Sequence, residues 1–174
     1  EAFEEIMSTT AGKLVVATFA SSLHRVQLLL DLATRLNRKV VFVGRSIKQN
    51  TEIAVELNHL SIPSNLVISE SDLPNWPPEQ ILCLATGSQG ERFSALSRIS
   101  LDQHPTIKLS AGDVVVFSAR SIPGNQRAIA NVMDNIARRG ADIVQEDDKT
   151  VHVSGHGSAD ELQSMLSLTK PKYF

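Results

Sequence analysis

Short runs that are apolar throughout alternate with amphipathic helical patterns along this chain, and this alternation limits the fold more than any other feature. Strands are predicted at residues 13–18, 40–43, 81–85, 113–117, 141–144 and 151–153, with shorter candidates at residues 66–68 and 106–109. One of the helices between them is predicted at residues 47–57. A strand that is apolar on both sides must be covered on both sides, which is typical of parallel sheets. The pattern therefore predicts an α/β fold: a three-layer, mostly parallel, Rossmann-like sheet with helices on both faces.

The composition indicates one globular domain and excludes general attraction to polyanions. The 174 residues are 42% hydrophobic and 21% charged, with a net charge of −2. Nucleic acid could then be bound only by a local basic cluster. The single cysteine, Cys83, lies in an apolar run and is predicted to be a buried thiol, which fits a reducing cytoplasm. No apolar run reaches the length of a membrane span.

The chain leaves five of the predicted strands through small, polar residues. In open parallel sheets the carboxyl ends of the strands lie along one edge, where ligands bind. Five such exits favour a phosphate or polyanion site, although small residues also occur in ordinary strand-to-helix turns. The exits are residues 19–22, 44–46, 86–90, 118–125 and 154–157, and the arginines in or after them are Arg25, Arg45, Arg92, Arg98 and Arg127.

Two histidines, His152 and His156, occur together with Ser154 and Gly155 before a predicted helix at residues 159–168. A helix start suits an anion, glycine permits close backbone approach, and histidine exchanges protons near neutral pH. The segment therefore predicts a phosphate-binding loop with an acid or base attached. The alternative is a strand end whose histidines cap the helix or lie at the surface.

Other familiar sites are missing from the sequence. There is no Gly-x-x-x-x-Gly-Lys-Ser/Thr loop and no Gly-x-Gly-x-x-Gly after the first strand, which argues against nucleoside triphosphates and dinucleotides. Only His152 and His156 are close together, whereas a catalytic zinc usually has three protein ligands. No complete metal site is therefore predicted.

Taken together, several segments resemble the β-CASP domain of bacterial ribonuclease J, within the metallo-β-lactamase-fold nucleases. The resemblance covers residues 1–174 almost completely, and it implies a domain excised from a longer nuclease. The segments are ATFASSLHR (17–25), GRS (44–46), TGSQGE (86–91), ALSRI (95–99), GDV (112–114), IPGN (122–125), HVSGH (152–156) and KPKYF (170–174).

This resemblance implies a subdomain that binds RNA and assists catalysis in a zinc-dependent 5′-to-3′ exonuclease with endonuclease activity, acting in RNA decay and maturation. It implies that His156 is the general acid at the scissile phosphate. It further implies contacts to RNA or its phosphates by His152, Ser154, Gly155, Ser21 and Ser46.

The resemblance also implies partners outside this chain. The His-x-His-x-Asp-His metal motif of such nucleases is absent, so zinc ligands are expected in the metallo-β-lactamase-like domain of the full-length enzyme. The fragment alone is expected to hold no metal and to be inactive, and the full-length protein is expected to be a cytoplasmic homo-oligomer. The second function class left open is a non-catalytic α/β module that binds a phosphorylated small ligand or a protein partner.

Overall fold

A computed structural model describes residues 1–146, 148–152 and 157–174. The strands are β1 (Leu14–Ala17), β2 (Lys39–Val43), β3 (Ile81–Ala85), β4 (Val114–Phe117) and β5 (Asp142–Val144). The helices are α1 (Ala2–Thr9), α2 (Leu23–Arg35), α3 (Arg45–Glu56), α4 (Ala95–Ser100), α5 (Gln126–Arg138) and α6 (Ala159–Thr169). Two short 3₁₀ helices, Glu70–Asn75 and Pro78–Gln80, precede β3.

The five strands form one parallel sheet in the order β2-β3-β1-β4-β5, which confirms the predicted fold class. The first strand, β1, lies in the middle of the sheet. The chain then forms the edge strand β2 and returns to place β3 between β2 and β1. It then crosses to the other side of β1 for β4 and β5. The central strand β1 therefore has neighbours on both sides, and all four of its residues are buried.

Successive strand residues point to opposite faces of the sheet, and each face packs against its own helices. In β1, Leu14 and Val16 belong to a cluster with α1, α2 and α3, whereas Val15 and Ala17 belong to a cluster with α4 and α5. Helices on both faces explain why the strands are apolar throughout.

Helix α2 shows how the sequence pattern produces this packing. Val26, Leu29, Leu30 and Ala33 are all fully buried, with the spacing of one helical face. Because only residues 18–22 join β1 to α2, the helix starts near the carboxyl end of β1.

Three local predictions differ from the structure. Residues 150–152 form no strand, although Val151 is 1% exposed, and residue 153 lies outside the described part. Residues 106–109 form no strand either, and around residues 66–68 there is a single bridge between Val40 and Val67. The segment at residues 66–68 makes two backbone hydrogen bonds to Val40, and the other two segments bury single side chains without extending the sheet.

Helix α3 begins at Arg45, two residues before its predicted start at residue 47. Gly44 makes the turn with φ of +115°, and a Cβ there would meet Thr86 Oγ1 at 2.5 Å. The strand therefore passes directly into the helix, and Arg45 and Ser46 lie in its first turn. Of the helices described, none is long and apolar enough to span a membrane.

Candidate nucleic-acid interface

Four strands end in one row at the carboxyl edge of the sheet. Ala17 of β1 is in register with Ala85 of β3 and Phe117 of β4, and Val43 of β2 is in register with Ala85. Backbone hydrogen bonds continue the ladder by one residue, including Ser118 N–H to the Ala17 carbonyl at 2.9 Å. The exits after these four strands therefore meet along one line, which we call the carboxyl edge.

The helices that begin at the carboxyl edge favour anions. None of the first turns of α2, α3, α4 and α5 contains an acidic residue. Of the five arginines in the predicted basic patch, Arg45, Arg92, Arg98 and Arg127 are exposed. A phosphate near this edge meets exposed guanidinium groups and no carboxylate from these first turns, which favours its binding.

Arg25 departs from the expected surface patch, because it is partly buried in contacts within the protein. Its Nη1 donates to the Ser118 carbonyl at 2.7 Å and to Thr18 Oγ1 at 3.3 Å. Its Nη2 lies 3.0 Å from His152 Nδ1. Burial lowers the pKa of Arg25 from its ordinary value. Arg25 therefore joins the ends of β1 and β4 to the segment that holds His152.

The contact with Arg25 fixes the chemical form of His152. A guanidinium has only donors, so Nδ1 must accept and the ring proton lies on Nε2. The pKa of His152 is lowered, first by burial and then by the charge of Arg25; Glu146 and a hydrogen bond with the Ser118 backbone oppose this. His152 is therefore a neutral hydrogen-bond donor through Nε2 at neutral pH.

Comparisons with known proteins match this sequence to a family. A family model described as ribonuclease J, beta-CASP domain, matches residues 11–136. The chain belongs to this β-CASP family. The ribonuclease J of Synechocystis is 44% identical over 171 residues, which are 98% of this chain and 27% of that protein.

Two further relatives carry the same name. The Mycobacterium tuberculosis ribonuclease J is 40% identical over 161 residues, covering 92% of this chain and 29% of the relative. The Helicobacter pylori ribonuclease J is 35% identical over 173 residues, covering 99% and 25%. The chain therefore spans about a quarter of the length of these relatives.

Three of the predicted site residues, Ser21, Ser46 and His152, lie near one edge of the β-CASP domain but not at one point. Ser21 is exposed in the connection from β1 to α2, and Ser46 is exposed in the first turn of α3. Ser46 follows β2, whereas His152 contacts the end of β4, three strands away in the sheet. Strand spacings of roughly 4.8 Å put these ends about 14 Å apart, too far for one phosphate. Ser154, Gly155 and His156 lie outside the described residues.

The start of α6 differs from the sequence expectation of an open anion site. Ser158 Oγ accepts the Glu161 N–H at 3.3 Å, and Glu161 Oε2 accepts the Ser158 N–H at 2.6 Å. These hydrogen bonds lower the pKa of Glu161, so it stays ionised, and Asp160 adds a second carboxylate. The capping box occupies N–H groups and places negative charge there. The start of α6 is therefore less open to an anion than the sequence suggested, and phosphate binding by the loop before it stays a prediction.

Gln89 is a positioning residue that sequence reasoning missed. Its side chain is 4% exposed and joins two exits of the carboxyl edge. Nε2 donates to the Arg120 carbonyl at 3.0 Å, while Oε1 accepts from Ile122 N–H at 2.9 Å and Asn125 Nδ2 at 3.3 Å. The local sequence Gly-Ser-Gln-Gly at residues 87–90 gives no signal for these partners, which lie more than 30 residues away.

Two cavities open near the edge. One, of about 410 Å³, is lined by Ser88 and Arg120, and Ser88 Oγ is buried without a partner among the described residues. The other, of about 810 Å³, is bounded by the β2–α3 and β3–α4 connections, and we call it the β2–β3 cleft. It contains the predicted RNA contact Ser46 together with Arg45 and Arg98.

The described residues do not fit a zinc site. No three His, Cys, Asp or Glu side chains group together among them. Of the two histidines close in sequence, His152 has Nδ1 against the positively charged Arg25, which disfavours a metal ion at that nitrogen. That the chain holds no zinc of its own stays a prediction, which metal analysis of the chain purified without chelator would check.

Proposed function

We propose that this β-CASP domain positions RNA in a zinc-dependent ribonuclease that acts as a 5′-to-3′ exonuclease with endonuclease activity. The main support is the carboxyl edge, where four strands end beside helix starts that lack acidic residues. The exposed arginines there supply the local basic cluster that a chain of net charge −2 needs for a polyanion. The relatives' name, ribonuclease J, supports RNA as that polyanion.

Different residues of the edge would bind different phosphates of one RNA strand. Arg45 and Ser46, in the first turn of α3, suit a phosphate at the β2 end. His152 suits a phosphate at the β4 end, where its neutral ring donates a hydrogen bond through Nε2. Arg25 keeps the ring proton on Nε2. The spacing of these groups along the edge would orient the strand.

The chemical step is assigned to His156, with Ser154 and Gly155 in the same loop contacting phosphate. A positioned acid protonates the leaving oxygen as the phosphodiester bond breaks, which suits a histidine near neutral pH. Zinc, held by a metallo-β-lactamase-like domain of the same protein, would supply a water of lowered pKa as the nucleophile. We propose that the full-length protein acts in the cytoplasm as a homo-oligomer.

The test is His156→Ala in the full-length protein, with His59→Ala as a control at an exposed residue just after α3. Turnover should fall by about 10²–10⁴-fold, the usual contribution of a positioned acid. RNA affinity should change much less, because the acid acts on the transition state. The control should retain wild-type turnover.

Two results would contradict the proposal in different ways. Near-normal turnover of His156→Ala would remove His156 from the mechanism. A wild-type protein that neither cleaves nor binds RNA, but binds a mononucleotide or a protein tightly, would support the non-catalytic module instead.

A further inference from the structure

Phe93, in the connection between β3 and α4, combines two unfavourable features that the packing of the protein does not explain. Its side chain is 84% exposed, and its backbone has φ of +65°. Left-handed backbone is tolerated by asparagine and aspartate but is unusual for a bulky residue. Four of the other described non-glycine residues with positive φ are Asn37, Asn58, Asn65 and Asp102.

The backbone around Phe93 is nevertheless held on both sides. Ser94 N–H donates to the Glu91 carbonyl at 3.2 Å, and Ser94 Oγ caps α4 by accepting the Ser97 N–H. A Cβ on Gly87 would lie 2.3 Å from Ser94 Oγ, so the β3 exit packs closely against this turn. The aromatic ring is therefore exposed on a fixed support, which lowers the entropy cost of binding a partner.

The surroundings of Phe93 are positively charged. Phe93 lines the β2–β3 cleft together with Arg45, Ser46 and Arg98, and none of the lining residues described is acidic. The Arg92 guanidinium lies over one face of the ring, with Cζ 5.7 Å from its centroid, which leaves the opposite face for a ligand. An aromatic face among arginines fits a planar ring that carries a phosphate.

We propose that Phe93 is a stacking platform for one nucleobase of single-stranded RNA, with Arg45 and Arg98 binding the neighbouring phosphates. Aromatic side chains in basic grooves bind single strands in this way, since every base has a face to stack. Bases in a duplex are already stacked on each other and do not offer that face. This inference rests on the proposed RNA-binding function and identifies a base subsite within it.

The test measures binding of a fluorescent single-stranded RNA of about 12 nucleotides to the full-length protein, with a chelator present to keep the RNA intact. Phe93→Asn is the main variant, because asparagine accepts the left-handed backbone and should preserve folding. It should weaken binding by about 5- to 100-fold, as expected for loss of one stacked base. Phe93→Trp should bind at least as tightly as the wild type.

Two comparisons separate stacking from charge. Phe93→Asn should leave the dependence of affinity on salt unchanged, whereas Arg98→Ala should reduce that slope by about one. Leu57→Ala is the matched control, since Leu57 is 60% exposed at the far end of α3. It should leave affinity unchanged.

RNAs with one abasic ribose at successive positions locate the base. The wild type should lose affinity at one position, and Phe93→Asn should show no further loss there. Unchanged RNA affinity in Phe93→Asn would overturn the stacking proposal while leaving the proposed function intact. Wild-type affinity in Phe93→Leu would also overturn it, since an aliphatic group would then suffice. Failure of the wild type itself to bind RNA would reject the proposed function as well.

Discussion

Replacing Gln89 by methionine should show how much the carboxyl edge depends on one buried amide. Methionine keeps the length and volume of the side chain, so packing should change little. The substitution removes the hydrogen bonds to Arg120, Ile122 and Asn125. Through these hydrogen bonds, the Gln89 side chain links the β3 exit to the β4 exit.

The magnitude follows from these three hydrogen bonds. Each hydrogen bond contributes about 0.5–1.5 kcal/mol net, and partners left buried without water cost more. We therefore expect the free energy of unfolding to fall by about 2–4 kcal/mol, out of about 5–15 kcal/mol for a typical domain. With a urea slope of about 2 kcal/mol per molar, the midpoint should fall by about 1–2 M.

The assay is equilibrium urea unfolding followed by fluorescence of Trp76, the only tryptophan. Gln27→Met is the control: Gln27 also hydrogen-bonds through both its oxygen and its nitrogen, to Ser61, but it does so where water can replace it. Its loss should cost less than about 1 kcal/mol. Equal midpoints for the two variants, at an unchanged slope, would refute the argument that Gln89 fixes these exits.

Three further outcomes follow from the structure. Arg38→Met should lower the free energy of unfolding by about 3–5 kcal/mol, because its buried guanidinium donates to four backbone carbonyls. Its control is Arg35→Met, which loses one exposed ion pair and should lower the free energy of unfolding by less than about 1 kcal/mol. Equal losses for the two variants in urea unfolding would contradict this. Arg25→Met should raise the pKa of His152 in an NMR titration, since the charge of Arg25 lowers it, and an unchanged pKa would reject their coupling. Glu161→Gln should change the affinity of the full-length protein for 5′-monophosphorylated RNA by less than about twofold, because the glutamine oxygen can still accept the Ser158 N–H of the capping box. A clear gain in the same binding assay would indicate a phosphate there.

The sheet could be predicted from the sequence because its strands are buried on both faces. The run Ile81–Ala85 is fully buried, and no exposed strand would tolerate such a sequence. The order of the strands could not be predicted, because Leu14 pairs with both Leu82 and Val114 through contacts far apart in the chain. Segments that bury one side chain, such as that of Ile107, resemble strands in the sequence without forming them.

That the strand exits meet at one edge could also be predicted, because parallel strands have their carboxyl ends on the same side of the sheet. The roles of individual side chains could not. Arg25 and Arg98 both lie just after strand exits, yet Arg25 is partly buried against Ser118 while Arg98 is exposed in the β2–β3 cleft. The residues next to them in the sequence do not distinguish a positioning arginine from one that can contact a ligand. The difference depends on which groups the neighbouring strand exit places beside each arginine.

The sequence at the start of α6 also contains the signature of a capping box, which argues against an open anion site. Ser158 followed by Glu161 has the spacing of a capping box, and Asp160 adds a further acid in the same turn. A helix start is an anion site only while its N–H groups and its positive potential are available. Here the capping box uses the N–H groups of Ser158 and Glu161, and two carboxylates offset the potential. A phosphate bound near Ser154 and Gly155 would therefore need donors from the loop itself and from His152, whose Nε2 proton is kept in place by Arg25. Because Arg25 also holds the ends of β1 and β4, the donor at this end of the edge is positioned by the sheet and not by α6.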